Sequence, residues 1–369
     1  MLKIMTIIGT RPELVRLSRI IPVFDQNFSH VLVHTGQNYD PNLKDIFFQE
    51  LNLREPDYCF DLTASTIGAM LSGMFLEIEK VLVSEKPDAV LILGDTNSAL
   101  SCIIAKKYGV PIYHMEAGNR CFDRESPEEA NRRIVDHTSD FNLAYTEAAR
   151  RNLLREGLHP RRIYTTGSPL YEVIQHYHAN IHKNDILEKL GLRHREYFVA
   201  SIHRQETVDN IGRINEIFVS LGRLHQKHGW PVILSMHPRT KWKVEQFGIA
   251  KPEGARFMPP FGYFDWCRLQ MSAACVVSDS GTISEEAAIL NFPAVTPRSA
   301  MERPEAMDCG NVVLCGLTPE TVVTSVSLMM ARSNNSAPEI PEAYRIPDVS
   351  HRVAALITGT CTLARGWSN

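Results

Sequence analysis

Short apolar runs alternate with longer amphipathic stretches along the first half of the chain. Apolar runs typical of buried strands occupy residues 3–8, 30–34, 89–93, 111–114, 142–145 and 162–165. Helical periodicity covers residues 12–25, 41–50, 65–83, 98–107 and 128–136. Continuous apolar strands that alternate with helices form parallel sheets covered on both faces, so this half predicts an α/β domain.

The second half repeats the pattern. Strands are predicted at residues 197–202, 231–236, 255–258, 275–278 and 294–296, and helices at 211–227, 265–273 and 283–291. We therefore predict two Rossmann-like α/β domains, residues 1–169 and 170–346, with a C-terminal helix at about 347–369 that packs back onto the first. Ligands of such sheets bind outside the carboxyl ends of the strands, which predicts a site in the interdomain cleft.

Composition disfavours several classes of protein, among them nucleic-acid-binding and membrane-spanning proteins. The 369 residues carry a net charge of -3, which gives no basic field for nucleic acid or an anionic membrane. No apolar segment reaches the roughly 18 residues that span a bilayer, and the apolar N-terminal segment has no leader-cleavage pattern. The eight cysteines form no C-x-x-C pair. We expect reduced thiols in a cytoplasmic protein, with no disulfide frame or zinc site.

Three carboxylates lie close together in sequence, next to predicted strand ends. Asp95 follows the strand at 89–93, Glu116 follows the strand at 111–114, and Glu128 opens a helix. Taken singly, Asp95 fits a helix cap and Glu128 fits a helix dipole. Together at one edge of a parallel sheet, the three predict an acid–base site.

Candidate anion ligands also follow predicted strands. Arg11 lies beside Gly9 at the start of the first helix, and His203 and His237 follow strands of the second half. Helix N-termini and forked arginine donors favour phosphate. The plain alternative is a strand-to-helix turn with solvent-facing side chains.

A further turn, Ser280-Gly281-Thr282, opens a helix that carries Glu286 in its first turn, with Arg303 further along the chain. Its backbone N–H groups suit a diphosphate. The carboxylate either complements the helix dipole or accepts the hydroxyls of a ribose.

Several well-known motifs are absent. The sequence has no G-x-G-x-x-G, no P-loop, no H-E-x-x-H and no G-x-S-x-G. A dinucleotide cofactor, a motif-bound metal and an ordinary serine hydrolase are therefore disfavoured, and we expect neither cofactor nor metal.

Taken in order, these pieces resemble the non-hydrolysing UDP-N-acetylglucosamine 2-epimerase family. The matching motifs are GTRPE at 9–13, GDT at 94–96, H-x-EAG at 114–118, PEEANR at 127–132, TG at 166–167, His203, DSG at 279–281, EE at 285–286 and ERPE at 302–305. The resemblance implies two Rossmann-like domains in the GT-B arrangement, an active site in the interdomain cleft and a homodimer.

The resemblance also implies a mechanism and residue roles. Members of the family eliminate UDP across C1–C2 of the sugar, which gives a 2-acetamidoglycal, and then re-add it with the proton on the other face. Asp95, Glu116 and Glu128 match the catalytic carboxylates, and His203 joins them as a catalytic residue. The matching substrate-binding residues are Arg11, Arg16, Phe264, Ser280, Gly281, Thr282, Glu286 and Arg303, with Glu286 on the ribose and Phe264 near the uracil.

Finer features resemble the branch that makes UDP-N-acetyl-L-fucosamine. Arg16 stands where the GlcNAc enzyme carries lysine, the loop at 34–40 reads HTGQNYD, and the carboxylate loop reads EAGNRCFD. This branch epimerises C2 of UDP-2-acetamido-2,6-dideoxy-β-L-talose to supply capsule or O-antigen. We expect residues 119–123 to select the 6-deoxy-L-sugar. The alternatives are a UDP-GlcNAc to UDP-ManNAc epimerase, a GT-B glycosyltransferase and a non-catalytic nucleotide-sugar sensor.

Overall fold

The computed structural model describes residues 1–37, 41–62, 66–123, 125–333 and 338–363, which form two compact units. The N-unit contains Met1–Arg120, Pro127–Gln175 and the chain from Ala343 onward. The C-unit contains Cys121–Ser126 and His176–Glu342. Each unit is built around one parallel sheet, so the predicted class of two Rossmann-like α/β domains is confirmed for both.

The described part of the N-unit holds a seven-stranded parallel sheet in the order β3-β2-β1-β4-β5-β6-β7. Its strands are β1 (Lys3–Ile8), β2 (Ser29–His34), β3 (Tyr58–Cys59), β4 (Ala89–Leu93), β5 (Ile112–Met115), β6 (Phe141–Ala144) and β7 (Ile163–Thr165). The helices are α1 (Arg11–Leu17), α2 (Ile20–Asn27), α3 (Pro41–Glu50), α4 (Ile67–Glu85), α5 (Cys102–Lys107), α6 (Pro127–Thr138), α7 (Glu147–Arg155) and α8 (Leu170–His176).

The core of the N-unit explains why its strands are apolar throughout. Every residue of β4 is buried, and Val90 and Ile92 pack in a cluster with Met5 of β1 and Ile78 of α4. A strand covered by helices on both faces has no solvent side that would favour polar residues. Chain order in this sheet reverses between β1 and β4, so the crevice outside their carboxyl ends is the expected ligand position.

The described part of the C-unit holds a six-stranded parallel sheet in the order β10-β9-β8-β11-β12-β13. Its strands are β8 (Phe198–Ser201), β9 (Val232–Ser235), β10 (Ala255–Met258), β11 (Cys275–Ser278), β12 (Ala294–Thr296) and β13 (Val312–Leu314). The helices are α9 (His178–His182), α10 (Ile186–Lys189), α11 (Gln205–Val208), α12 (Ile211–His228), α13 (Pro238–Gln246), α14 (Tyr263–Ser272), α15 (Ile283–Leu290), α16 (Glu305–Asp308) and α17 (Pro319–Ser333). Here the order reverses between β8 and β11.

The last described helix, α18 (Val349–Thr360), belongs to the N-unit and packs on α2. Its apolar side chains Val349, Val353 and Ile357 are fully buried. Helix α18 therefore contributes one face to the core of the N-unit. Three short 3-10 helices complete the described elements, at Asn97–Ser101, Pro160–Arg162 and Glu342–Tyr344.

Two predicted helices differ from the observed ones. The helix predicted at 12–25 is two helices, α1 and α2, because Pro22 has no N–H to bond to the carbonyl one turn earlier. At the break, the Ser18 hydroxyl donates to the Val15 carbonyl at 2.7 Å. The helix predicted at 98–107 begins as a 3-10 turn and becomes α-helical only at α5.

Three predictions fall partly outside the described residues. They concern the end of the HTGQNYD loop (38–40), the first residue of the helix predicted at 65–83, and the end of the tail (364–369). In the chain segments that are described, no helix is long and apolar enough to cross a membrane.

Candidate active site

Asp95 and Glu116 leave the N-unit sheet at the same edge, because their strands are neighbours. Leu93 of β4 pairs with Met115 of β5, and the Gly94 N–H donates to the Met115 carbonyl at 3.0 Å. The carboxylate of Asp95 follows one strand end and that of Glu116 follows the other. This confirms that the two loops lie side by side, as predicted for the carboxyl ends of adjacent parallel strands.

A buried histidine ties these two loops together. His114 precedes Glu116 by two residues, and its Nε2 lies 2.8 Å from the Gly94 carbonyl oxygen. Its Nδ1 lies 2.9 Å from Oδ1 of Asp136, which is fully buried in α6. Both ring nitrogens are therefore engaged, and the imidazole cannot rotate without breaking a buried hydrogen bond.

Asp95 is held by the helix that also carries Glu128. Arg132 Nε of α6 donates to Asp95 Oδ2 at 2.7 Å, and the Asn131 amide donates to the Asp95 carbonyl at 2.9 Å. The Arg132 side chain is only 5% exposed, and its Nη1 also donates to Glu129 at 3.0 Å. A buried guanidinium shared by two carboxylates fixes the direction of both.

Glu128 lies in the first turn of α6 and is half-buried. Asn131 and Arg132, which hold Asp95, are three and four residues further along the same helix. Residues at this spacing lie on one helix face. The structure therefore places Glu128 on the side of α6 that faces the loop of Asp95.

Glu116 has a strained backbone. Its φ is +68°, a region that non-glycine residues rarely adopt and that recurs at functional sites. Asn119 Nδ2 donates to Glu116 Oε1 at 3.2 Å, and Arg16 Nε lies 3.6 Å from Glu116 Oε2. The Arg16 side chain is 3% exposed, so its charge faces Glu116 with little screening by water.

Two glycines allow the close approach of backbone at this edge. A Cβ on Gly118 would lie 2.3 Å from the Ala149 carbonyl oxygen, and its φ is +82°. A Cβ on Gly9 would lie 1.9 Å from Ser98 Oγ. The turn after β1, which precedes Arg11, therefore packs directly on the segment after β4.

Glu13, in the turn after β1, is a site residue that the sequence prediction missed. Its side chain accepts from the N–H groups of Gly9 at 2.6 Å and Thr10 at 3.1 Å, and from Thr96 Oγ1 at 2.5 Å. Burial raises the pKa of Glu13 to about 7, because the loss of hydration outweighs these hydrogen bonds and the charge of Asp95 adds to it. In the sequence, Glu13 three residues after Thr10 indicates only a capping box.

In the C-unit, Asp279 fixes the position of His203. Asp279 is fully buried after β11, and it accepts from the backbone N–H groups of His203 and Arg204, each at 3.0 Å. The His203 side chain is 38% exposed, and its ring centroid lies 6.2 Å from that of His237. The two predicted strand-end histidines are thus brought together, and the His203 side chain is partly exposed to solvent.

Guanidinium groups surround the predicted phosphate turn. Arg303 Nη1 donates to the Gly281 carbonyl at 2.6 Å, and Arg204 Nη2 donates to Glu302 Oε1 at 2.6 Å. A Cβ on Gly281 would lie 2.6 Å from Glu302 Oε1 and 2.8 Å from Arg303 Nη1, so a larger residue would displace these side chains. Within the turn, Ser280 Oγ lies 3.0 Å from Thr282 Oγ1.

The buried carboxylates behind this turn were not predicted as site residues. Glu302 Oε2 lies 3.0 Å from Arg298 Nη2, and Glu285 Oε2 lies 3.1 Å from Arg303 Nε. These ion pairs place negative charge beside both buried guanidinium groups. The sequence carried a partial signal, since both carboxylates occur in the quoted motifs, but it does not separate a ligand from a carboxylate that orients one.

Glu286 and Phe264 lie on two helices that pack against each other, α15 and α14. Glu286 is buried and accepts from Gln270 Nε2 of α14 at 2.8 Å. Phe264 is half-buried, with its ring centroid 5.3 Å from that of Tyr177. Phe264, the predicted uracil contact, therefore lies on the helix whose Gln270 donates to Glu286, the residue predicted to bind the ribose.

No cluster of three or more His, Cys, Asp or Glu side chains in the described segments is placed to hold a metal ion. The residues described above include carboxylates in the N-unit, and guanidinium groups and one partly exposed imidazole in the C-unit. Carboxylates of this kind can move protons, and guanidinium groups can neutralise an anion.

Comparison with known proteins gives one consistent family. A family model described as UDP-N-acetylglucosamine 2-epimerase matches residues 24–358. A UDP-N-acetylglucosamine 2-epimerase of Methanococcus maripaludis is 38% identical over 339 residues, covering 89% of this chain and 92% of the relative. The UDP-2,3-diacetamido-2,3-dideoxy-D-glucuronate 2-epimerase of Pseudomonas aeruginosa is 35% identical over 338 residues, covering 90% and 93%.

Solved structures agree. The UDP-GlcNAc 2-epimerase of Methanocaldococcus jannaschii, solved in complex with UDP-GlcNAc and UDP, superposes with a TM-score of 0.91 at 34% identity. The match covers 97% of this chain and 100% of that one. The match therefore spans both α/β units.

Proposed function

Because the chain belongs to the UDP-N-acetylglucosamine 2-epimerase family, we propose that it inverts C2 of a UDP-linked 2-acetamido sugar by elimination and re-addition of UDP. It is an isomerase. The observation that carries the mechanism is the pair Asp95 and Glu116, which leave neighbouring strands and each face a buried guanidinium.

The reaction explains why several carboxylates are needed. C2 of a nucleotide sugar has no adjacent carbonyl that would make its proton acidic, so direct abstraction is difficult. Elimination across C1–C2 removes the C2 proton together with UDP, and re-addition returns a proton to the opposite face. Two faces require at least two positioned acid–base groups. We assign this work to Asp95, Glu116 and Glu128 together.

Departing UDP carries growing negative charge, which must be stabilised until re-addition. We assign its diphosphate to the Ser280–Thr282 turn with Arg303 and the partly exposed His203, since these bring N–H donors and positive charge together. Arg11 and Arg16 of α1 complete the set.

The nucleoside is assigned to the C-unit. Glu286 accepts the ribose hydroxyls, and Phe264 contacts the uracil from the adjacent helix. The sugar is assigned to the carboxylates of the N-unit.

The exact sugar is the finer part of the proposal. We propose UDP-2-acetamido-2,6-dideoxy-β-L-talose, converted to UDP-N-acetyl-L-fucosamine for capsule or O-antigen. Its support is that one of the distinctive residues, Asn119, donates to Glu116, while Arg120 beside it is held by Asp136 at 2.8 Å and by Glu156. UDP-GlcNAc to UDP-ManNAc is the second candidate, and it fits the relatives at least as well.

The experiment is ¹H NMR of the products that the purified protein forms from three UDP-sugars. They are the 6-deoxy-L-talo sugar, UDP-GlcNAc and the diacetamido-D-glucuronate sugar, the last being the substrate named for the Pseudomonas relative. We expect C2 epimerisation of one of them without net loss of UDP. Epimerisation of UDP-GlcNAc alone would reject the fucosamine assignment. Sugar transfer to an added acceptor, with no epimer formed, would favour a GT-B glycosyltransferase instead.

We also propose that the protein works as a homodimer in the cytoplasm, where UDP-sugars are made. No disulfide joins cysteines in the described segments, and none of the eight cysteines falls outside them. Light scattering coupled to gel filtration would test the dimer, and a monomer at working concentration would reject it.

A further inference from the structure

Glu13 occupies a position between the two loops that carry site residues. Its side chain is 2% exposed in the first turn of α1. One carboxyl oxygen accepts from the N–H groups of Gly9 and Thr10, and the other accepts from the Thr96 hydroxyl. Thr96 directly follows Asp95. A single carboxyl group therefore links the turn that presents Arg11 to the loop that presents Asp95.

The contact with Thr96 can persist in both protonation states of Glu13. When Glu13 is ionised, the Thr96 hydroxyl donates to it, and the 2.5 Å separation suits a charge-assisted O–H···O⁻ bond. When Glu13 is neutral, its own O–H donates to the Thr96 oxygen, because a hydroxyl both donates and accepts. The two backbone N–H bonds use the other carboxyl oxygen and need not change.

We propose that Glu13 is a positioning residue for this site, one that holds Asp95 against the Gly9 turn through Thr96 and adjusts its own proton to the charge on Asp95. The kinetic consequence rests on the epimerase function proposed above. During elimination and re-addition the charge near Asp95 changes. A carboxyl group that gains or loses a proton beside it limits that change without disturbing the geometry.

The surroundings of Glu13 support this coupling. Asp95 is the charged group that raises the pKa of Glu13 from the loop after β4, in addition to the larger effect of burial. Arg132 of α6 binds Asp95 in turn. Arg11 and Arg16 share α1 with Glu13. The groups that donate to the Glu13 carboxyl, two backbone N–H groups and the Thr96 hydroxyl, are neutral. The pKa of about 7 places the titration of Glu13 at the pH of ordinary assays.

Three variants test the proposal. Glu13→Gln keeps the acceptor for the two N–H groups and an N–H for Thr96, but it cannot titrate. Glu13→Ala removes all three bonds. Glu172→Gln is the matched control, because Glu172 also accepts from a backbone N–H, that of Ser350 at 2.9 Å, and from the Ser350 hydroxyl, in the same unit.

The first readout does not need turnover. Carbon-13 NMR of carboxyl groups should show one group titrating near pH 7 in the wild-type chain and in Glu172→Gln, and not in Glu13→Gln. The second readout is kinetic. Below the pKa of about 7, Glu13→Gln should match the wild type because both are neutral there, and at higher pH the two kcat profiles should diverge. Glu13→Ala should lose about 10²-fold in kcat at unchanged KM, since Asp95 is displaced while UDP binding is not.

The outcomes separate this inference from the proposed function. Identical pH profiles for the wild type and Glu13→Gln would overturn the inference, as would a kcat of Glu13→Ala equal to that of Glu172→Gln. Absence of a carboxyl titration near pH 7 would overturn it whether or not turnover is seen. If the titration is present but no UDP-sugar is epimerised, the proposed function fails and the titrating role of Glu13 stands. UDP binding measured by calorimetry shows whether Glu13→Ala is folded.

Discussion

Charge is buried in this protein beside groups that compensate it. Asp136 faces His114 and Arg120, and Glu302 faces Arg204 and Arg298. These contacts satisfy the rule that a buried ion needs a partner or several donors. The Glu13 carboxyl differs because its donors, two backbone N–H groups and one hydroxyl, carry no charge. Its ionised form is therefore the costly one.

This difference predicts a pH-dependent gain in stability for Glu13→Gln. The folded-state pKa of Glu13 is raised above its ordinary value of 4.5 to about 7, so the wild type loses stability as pH rises through that interval. Glutamine cannot ionise, so the variant should match the wild type near pH 4.5 and exceed it above pH 7. One pKa unit corresponds to about 1.4 kcal/mol, so the shift from 4.5 to about 7 limits the gain to about 3.5 kcal/mol. Thermal unfolding between pH 4.5 and 8 measures it, and a constant offset would contradict the account.

The phosphate turn gives a second prediction for a single residue. Gly281→Ala places a Cβ where Glu302 and Arg303 now lie, so Arg303 must move. Losing a charge-assisted contact costs about 1.5–3 kcal/mol, which weakens UDP binding by roughly tenfold to a hundredfold. Calorimetry with UDP checks this. Gly222→Ala in α12 is the control, because its Cβ would meet only ordinary van der Waals contact. Equal affinity in both variants would exclude the turn from UDP binding.

At the scale of elements, apolar runs located most strands because burial on both faces leaves a strong signal. The strands at 89–93, 255–258, 275–278 and 294–296 were predicted with the observed bounds. The two-residue strand β3 and the short strand β13 were missed, since so few residues carry no period. Helices α7 and α17 were also missed, and the break between α1 and α2 depends on a single proline.

The sequence identified the site loops but not how they are held. It predicted Asp95, Glu116, His203 and the turn at 280–282 because they follow strands. It did not predict the buried contacts that orient them, such as the bond from Thr96 to Glu13. That pair joins residues 83 positions apart, and only folding brings them together. Local patterns record which residues end a strand, and they do not record which side chain a loop will meet.

Helix α6 gives a prediction at this scale. Arg132→Lys should lower kcat on the order of tenfold to a hundredfold without changing affinity for UDP, because lysine cannot hold Asp95 and Glu129 in the forked geometry of arginine. The control is Arg133→Lys on the same helix. The Arg133 side chain is 50% exposed, and its distance of 3.6 Å from Glu129 is longer than the contacts of Arg132. If both variants behave alike, the fixed direction of Asp95 is not required for turnover.

At the scale of the molecule, the two units share the same kind of sheet. Each has a parallel sheet whose order reverses once, between β1 and β4 in one and between β8 and β11 in the other. Each places its site residues at the carboxyl ends beside that reversal, as open α/β sheets do. The carboxylates of Asp95 and Glu116 follow strands of the N-unit, and the guanidinium groups of Arg204 and Arg303 lie beside Gly281 in the C-unit. A net charge of -3 is thus compatible with a local concentration of positive charge at this turn.

The proposed mechanism predicts that turnover requires neither added metal nor NAD. In this mechanism, side chains such as Arg204 and Arg303 supply positive charge for the departing diphosphate, and elimination with re-addition requires no net oxidation. Turnover should be unchanged after treatment with EDTA followed by dialysis, in buffer without nucleotide cofactor. Loss of activity that returns with a divalent cation would show that the guanidinium groups are insufficient.

The most direct test of the central claim is the reaction run in D₂O and followed by NMR at C2 of the sugar, with the epimerised substrate identified above. The wild-type protein should give the C2 epimer with one solvent deuteron at C2. Asp95→Asn, Glu116→Gln and Glu128→Gln should each slow deuterium entry while leaving UDP affinity unchanged, because their carboxylates share the proton transfers. Epimer that retains the original proton at C2, or full activity in all three variants, would contradict the account.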